Sequence, residues 1–198
     1  YLGLCPRNKA VRIFSIRALV INGSSRENSN TDSMLAVLLK NLSYCNIALR
    51  KYKVLPIHDQ RHTRKNWEIV EDDYSALIQK MVNADIVIFA TPIYWYGISG
   101  LLKNFIDRWS QSLATNKKFK QDLKRKRIYL LLVGDDKPTI KGMPIIHQFQ
   151  YICDFLNWNL VDYVIGSGNK PQEVKDDRMA MTKLLQLNQE LLLGGSDE

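Results

Sequence analysis

Two runs in this chain are apolar at every position, Ile86-Val87-Ile88-Phe89-Ala90 and Ile128-Tyr129-Leu130-Leu131-Leu132-Val133. A strand with one wet face alternates apolar and polar residues, so runs without alternation belong to strands buried on both faces. Ala18-Leu19-Val20-Ile21-Asn22 reads the same way. Between these runs the apolar residues recur at helical spacing. Met34, Leu35, Leu38, Leu39 and Leu42 form one stripe, and Leu77, Ile78, Met81 and Val82 another. Leu101, Leu102, Phe105, Ile106 and Trp109 form a third. Buried strands alternating with amphipathic helices specify a parallel sheet covered by helices on both faces.

The pattern places further strands at Ile47–Leu55, near an edge, and at Leu160–Ile165, with the fourth strand running from Arg127 to Val133. Helices are expected to open at Asp72-Asp73, and to span Ser99–Ser112, Pro144–Asn157 and Asp176–Leu193. Residues 1–11 lack periodicity and read as a tail, with a single domain over 12–198. Arg12–Arg17 is either a short extra strand or an early start of the first one. Five strands and about five helices suggest the order 2-1-3-4-5, in which the loops after strands one and three flank the point where strand order reverses. Ligands of open sheets bind there, beyond the carboxyl ends of the strands.

Those two loops are the most distinctive in the chain. After the first strand comes Gly23-Ser24-Ser25-Arg26-Glu27-Asn28-Ser29-Asn30-Thr31, then a helix. Amides at a helix entrance lack intrahelical partners and face an anion with the helix dipole behind them. Ser24, Ser29 and Thr31 offer hydroxyls and Arg26 a charge; the bland alternative is ordinary helix capping. After the third strand comes Thr91-Pro92-Ile93-Tyr94-Trp95-Tyr96-Gly97, three adjacent aromatics released at a strand-ending proline. Such a loop suits a planar ring, although buried aromatics are also common core material.

Composition narrows the class. At 198 residues, 45% hydrophobic and 24% charged, the chain is an ordinary globular domain, and Ile128–Val133 is too short to span a bilayer. The three cysteines, Cys5, Cys45 and Cys153, are scattered, and no secretory pattern opens the chain, so a reducing cytoplasm is expected. A net charge of +8 owes much to Lys117, Lys118, Lys120, Lys124, Arg125, Lys126 and Arg127. A solvated helix end is preferred to a nucleic-acid surface there, because no recognised binding signature accompanies the charge. His58 and His62 lack a third ligand, so no metal site is expected, and His147 reads as capping or core.

The two loops, together with Ile98-Ser99-Gly100-Leu101-Leu102-Lys103-Asn104-Phe105-Ile106-Asp107-Arg108, resemble the NAD(P)H-dependent FMN reductase and quinone reductase branch of the flavodoxin-like superfamily. The resemblance covers roughly residues 16–193 and implies a flavodoxin-like α/β three-layer sandwich with a five-stranded parallel sheet. It implies that Ser24, Arg26, Ser29, Asn30 and Thr31 hold the FMN phosphate, and that Pro92, Ile93, Tyr94, Trp95, Tyr96 and Gly97 lie against the isoalloxazine. Gly134 and Asp135 form the third contact; relatives often pair glycines there, and a carboxylate in the second place disfavours an anionic reduced ring. NADPH or NADH is the implied donor and a small acceptor such as a quinone, azo or nitro compound the implied oxidant. No general acid or base is assigned, because the flavin carries the chemistry. Family members are commonly homodimers, and Phe105 and Trp109 are candidates for burying such an interface. Asp107 and Arg108 read as packing or surface ion-pair residues. The rival readings are a flavodoxin-type electron carrier, which the basic charge disfavours, and a basic partner-binding protein.

Overall fold

A computed structural model describes residues 17–62, 67, 68 and 70–193. The expected tail at 1–11 and the segment 12–16 lie outside the described residues. The elements run β1 Ala18–Asn22, α1 Asn30–Leu38, β2 Tyr44–Ala48, a 3-10 turn Leu49–Lys51, α2 Tyr74–Val82 and β3 Ile86–Pro92. They continue with α3 Gly100–Asp107, α4 Trp109–Thr115, the short α5 Phe119–Asp122, β4 Arg127–Gly134 and the short α6 Pro138–Lys141. The chain closes with α7 Met143–Leu156, β5 Asn159–Ser167, a 3-10 turn Glu173–Asp176 and α8 Arg178–Leu193. All neighbouring strands pair parallel, in the order β2-β1-β3-β4-β5.

Strand alternation sends each central strand into two cores. On one face, Leu19, Ile21, Val87, Phe89, Ile128, Leu130 and Leu132 meet Leu77 of α2, Phe105 of α3, Trp109 of α4 and Phe149 of α7. On the other, Val20, Ile86, Ile88, Leu131 and Val133 meet Met34 and Leu38 of α1 and Leu184, Leu187 and Leu191 of α8. Every residue of β3 is buried. Each such side chain contributes about 1.5–3 kcal/mol of transfer free energy, which is why the central strands are apolar throughout. Phe89 is the hub of the first core, its ring centroid 5.1 Å from Phe149, 6.2 Å from Trp109 and 6.3 Å from Trp158.

Five expectations are corrected. The second strand is Tyr44–Ala48 rather than Ile47–Leu55, because the chain turns at Leu49–Lys51. As an edge strand it exposes Tyr44 and Asn46, so its first half carries no apolar signal. The helix expected over Ser99–Ser112 breaks at Arg108 into α3 and α4. Arg108 is buried, and its guanidinium donates to Asp72 at 2.6 Å and to the Leu55 carbonyl at 3.1 Å, so it serves a buried ion pair rather than a surface one. Phe105 and Trp109, candidates for a subunit interface, are buried in the chain's own core. His147 is exposed on α7, neither capping nor core. Asp107 does form a surface pair, with Lys103 at 2.5 Å.

Candidate functional site

All five parallel strands point their carboxyl ends the same way, so the segments after β1, β3, β4 and β5 converge on one edge. The first segment is anchored from below. Gly23 donates its N–H to the Ala90 carbonyl at 2.7 Å, and a Cβ at Gly23 would lie 2.8 Å from Ser99 Oγ and 3.0 Å from Leu102 Cβ. Only glycine lets the loop leave β1 so close to α3. Asn22 Oδ1 then accepts from Ser24 N at 2.9 Å, and Asn22 Nδ2 donates to Asp32 at 2.7 Å.

The hydroxyls of this loop divide their work. Ser24 Oγ donates to the Arg26 carbonyl and accepts from Arg26 N, both at 3.2 Å. Ser29 caps α1: its Oγ accepts from Asp32 N at 3.1 Å while the Asp32 carboxylate accepts from Ser29 N at 3.0 Å. This is a reciprocal capping box. Asn30 Oδ1 accepts from Val174 N at 3.1 Å, tying the start of α1 to the turn Glu173–Asp176. Thr31 is different. Its Oγ1 is buried and has no hydrogen-bond partner. Of the first N–H groups of α1, that of Asp32 is taken by Ser29 Oγ, while those of Asn30 and Thr31 have no acceptor within the helix backbone.

The aromatic segment is a tight turn. Tyr94 N donates to the Gly97 carbonyl at 2.9 Å and Gly97 N returns a bond to Tyr94 O at 3.0 Å. Trp95 and Tyr96 between them have φ of 49° and 61°, the left-handed pair that a two-residue I′ turn requires. Gly or Asn would meet that geometry without strain, whereas bulky residues there cost about 1–3 kcal/mol each. Trp95 stands 95% exposed. Tyr96 is tied down: its hydroxyl donates to Asp136 at 2.9 Å, and Lys141 pairs with the same carboxylate. The Lys141 ammonium, followed by the Tyr96 hydroxyl, holds the exposed Asp136 carboxyl below its ordinary pKa.

Between these segments lies a cavity of about 210 Å³. It gathers Ser24, Arg26, Ser29, Asn30, Thr31, Pro92, Ile93, Tyr94, Gly134 and Asp135, ten of the residues singled out in the sequence. Trp95 and Tyr96 line an adjoining cavity of about 220 Å³ that shares Ile93, Gly134 and Asp135 with the first. Gly97 lines neither and acts by closing the turn. Backbone packs tightly at Gly134, where a Cβ would come within 3.2 Å of Ile93 Cβ. Asp135, in the place of a second glycine, turns its carboxylate to Asn169 Nδ2 at 3.0 Å.

Sequence reasoning missed the contribution of the segment after β5. Gly168 and Asn169 line the first cavity, and Gly168 N donates to the Gly134 carbonyl at 2.8 Å. The signal was Gly166-Ser167-Gly168-Asn169 following a strand, obscured because the strand was ended early at Ile165. The Asp136–Lys141–Tyr96 tie was missed too. The basic run, in contrast, precedes β4 and so lies at the opposite edge of the sheet. Lys126 within it is buried, donating to the carbonyls of Val82 at 2.9 Å and Ala84 at 2.5 Å. Among the described residues, no group of three or more His, Cys, Asp or Glu is placed to hold a metal ion, and no helix is long and apolar enough to cross a membrane.

A family model for NADPH-dependent FMN reductase matches residues 16–141. The chain belongs to this family. It is 41% identical over 169 residues to YwqN of Bacillus subtilis, named as an NAD(P)H-dependent FMN-containing oxidoreductase, covering 84% of this chain and 93% of that one. It is 29% identical over 143 residues to an FMN-dependent NADH:quinone oxidoreductase of Leptothrix cholodnii, covering 65% of this chain and 66% of that one. A solved structure entitled Trp repressor binding protein, from Bacillus subtilis, superposes with a TM-score of 0.73 at 37% identity, covering 86% of this chain and 99% of that one. The fold is accordingly the flavodoxin-like sandwich, and the activity is NAD(P)H-dependent oxidoreduction with FMN as cofactor. Membership in a family of reductases sets aside the flavodoxin-type carrier.

Proposed function

We propose that the cavity between the segments after β1, β3 and β4 is the FMN seat, and that the enzyme passes reducing equivalents from NADPH or NADH to a quinone. The observation that carries the seat is the Thr31 hydroxyl, buried in the cavity wall without a partner at the amino end of α1. A buried hydroxyl without an acceptor or donor costs about 1–3 kcal/mol, and an anion at the helix entrance relieves it. In this reading Thr31, Ser24, Ser29, Asn30 and Arg26 surround the phosphate. The Tyr94–Gly97 turn and the Gly134–Asp135 backbone, tight against Ile93, face the ring.

When bound, FMN would supply the redox chemistry between the nicotinamide and the acceptor. The chain's own residues orient and exclude. The strained turn fixes Tyr94 at the cavity wall and holds Trp95 out as a flat apolar surface beside it. No side chain is assigned a proton to hold. Trp95 favours a planar acceptor, and the Leptothrix relative is named for quinone reduction. Residues 12–198 are taken as one domain, acting as a homodimer in the cytoplasm.

An anaerobic panel of benzoquinone, an azo dye and a nitroarene with NADPH tests the reading. The expected kcat/KM is highest for the quinone and falls about two- to tenfold in Trp95→Ala, the worth of one aromatic contact. A preference for the azo dye, or indifference to Trp95, overturns the quinone assignment. Sedimentation equilibrium checks the dimer against the chain mass of 22.9 kDa.

A further inference from the structure

The segment proposed to receive the phosphate carries a charge problem. Between Gly23 and Asp32 there is one base, Arg26, against two acids, Glu27 and Asp32. Asp32 cannot be dispensed with, since its carboxylate accepts from Ser29 N, Ser29 Oγ and Asn22 Nδ2 and so shapes the loop. Yet it is a full negative charge in the first turn of the helix whose amino end faces the cavity. An anion arriving there meets repulsion that the helix dipole alone offsets only in part.

The 3-10 turn after β2 holds two adjacent cations, and each faces one of these acids. Arg50 Nη1 lies 3.7 Å from Asp32 Oδ1, and Lys51 Nζ lies 3.9 Å from Glu27 Oε1. Arg50 is the informative one. Its Nε and Nη1 are buried with no hydrogen-bond acceptor. A guanidinium donates five N–H groups and is valued for the bonds it makes, so the half-buried Arg50 side chain bears a desolvation cost at Nε and Nη1 that no hydrogen bond returns. What this geometry leaves Arg50 to contribute is its charge.

We infer that Arg50, acting through Asp32 and seconded by Lys51, is the positioning residue that cancels the loop's acidity so that it accepts a phosphate dianion. The inference rests on the phosphate reading of the Gly23–Thr31 segment given above. Arg50 touches neither the cavity nor the ring in this account. It sets the local field, and the effect belongs to the phosphate and not to the rest of the flavin.

The test compares the affinities of FMN and riboflavin for the flavin-stripped enzyme, by flavin fluorescence, in wild type, Arg50→Gln and Arg50→Lys. The expectation is that Arg50→Gln weakens FMN about tenfold, the size of one partly buried charge near a helix terminus, and changes riboflavin less than about twofold. Arg50→Lys keeps the wild-type ratio, because the charge stays beside Asp32. Equal losses for FMN and riboflavin make Arg50 merely structural and overturn the inference, as does an unchanged FMN affinity in Arg50→Gln. Should Arg50→Gln not fold, exposed Lys51→Gln carries the same test with a smaller selective loss expected, and no selective loss overturns the inference. If the wild type binds FMN and riboflavin equally, the phosphate reading fails and this inference with it. If only the Arg50 and Lys51 variants are silent, the phosphate reading stands and this inference alone falls.

Discussion

Thr31→Val separates the cost of the unpartnered hydroxyl from its use. Valine matches threonine in shape and in its preference for a narrow set of rotamers, so the backbone of α1 has no reason to move. In the flavin-free protein the change removes a buried polar atom that has no partner. The desolvation penalty of such an atom is about 1–3 kcal/mol, so the variant should be more stable by up to that amount. For a chain of this size that corresponds to a rise of roughly 2–4 °C in Tm per kcal/mol. With FMN the sign reverses. A hydrogen bond to a charged group is worth about 1.5–3 kcal/mol, which weakens FMN binding roughly 10- to 150-fold. Thermal unfolding of the flavin-free protein and a fluorescence titration with FMN, on the same preparations, read both halves. A variant that is less stable without flavin and binds FMN as tightly as wild type would refute the reasoning, since the hydroxyl would then have a structural partner and no part in the site.

Other perturbations probe the scaffold. Gly168→Ala puts a Cβ 2.7 Å from Val174 N, the donor to Asn30, so it should cost about 1–3 kcal/mol and weaken FMN binding. Gly100→Ala, with nothing within 4 Å of its Cβ at the start of α3, should be neutral or stabilising by up to about 1 kcal/mol; urea unfolding ranks the pair, and equal effects would contradict the packing account. Arg108→Met leaves the fully buried Asp72 carboxylate without its counter-ion and should cost about 3–5 kcal/mol, with Arg108→Met/Asp72→Leu recovering a large part of the loss. Burial drives the Lys126 ammonium down to about 8 from its ordinary 10.5, so between those values the unfolded chain holds more protons than the folded one. Stability should therefore rise with pH across that window, and Lys126→Met should flatten the rise; the same slope in both proteins would show that another group is responsible. Buried Cys153, its thiol pushed up to about 12, should resist iodoacetamide in the folded protein and react on unfolding, which mass spectrometry reads directly.

The legible parts of this chain are those where one physical requirement acts alone. A strand covered on both faces must be apolar at every position, so β1, β3 and β4 stand out, and with the helical stripes between them they imply the parallel sheet and its order. At the edge the requirement relaxes. Tyr44 and Asn46 face solvent, and β2 was displaced toward the apolar Val54 and Leu55. The break at Arg108 carries no local sequence signal, and the buried ion pair that Arg108 makes with Asp72 joins residues far apart in sequence. The same division holds at the site. Two strand-ending loops were legible from composition, whereas the division of labour among Ser24, Ser29 and Thr31 depends on which backbone groups lie nearby. The left-handed pair at Trp95 and Tyr96 had no signal, since neither residue favours that conformation. Gly168 and Asn169 enter the site only because β5 runs two residues beyond its apolar stretch.

The most direct test is an anaerobic titration of the purified, FMN-loaded enzyme with NADPH, and in parallel with NADH, followed by visible absorption. The account predicts a bound-flavin spectrum that bleaches on addition of about one equivalent of at least one of the two nucleotides and returns when a quinone is added. A protein that retains no FMN, or one whose bound flavin stays oxidised with both nucleotides, would contradict it.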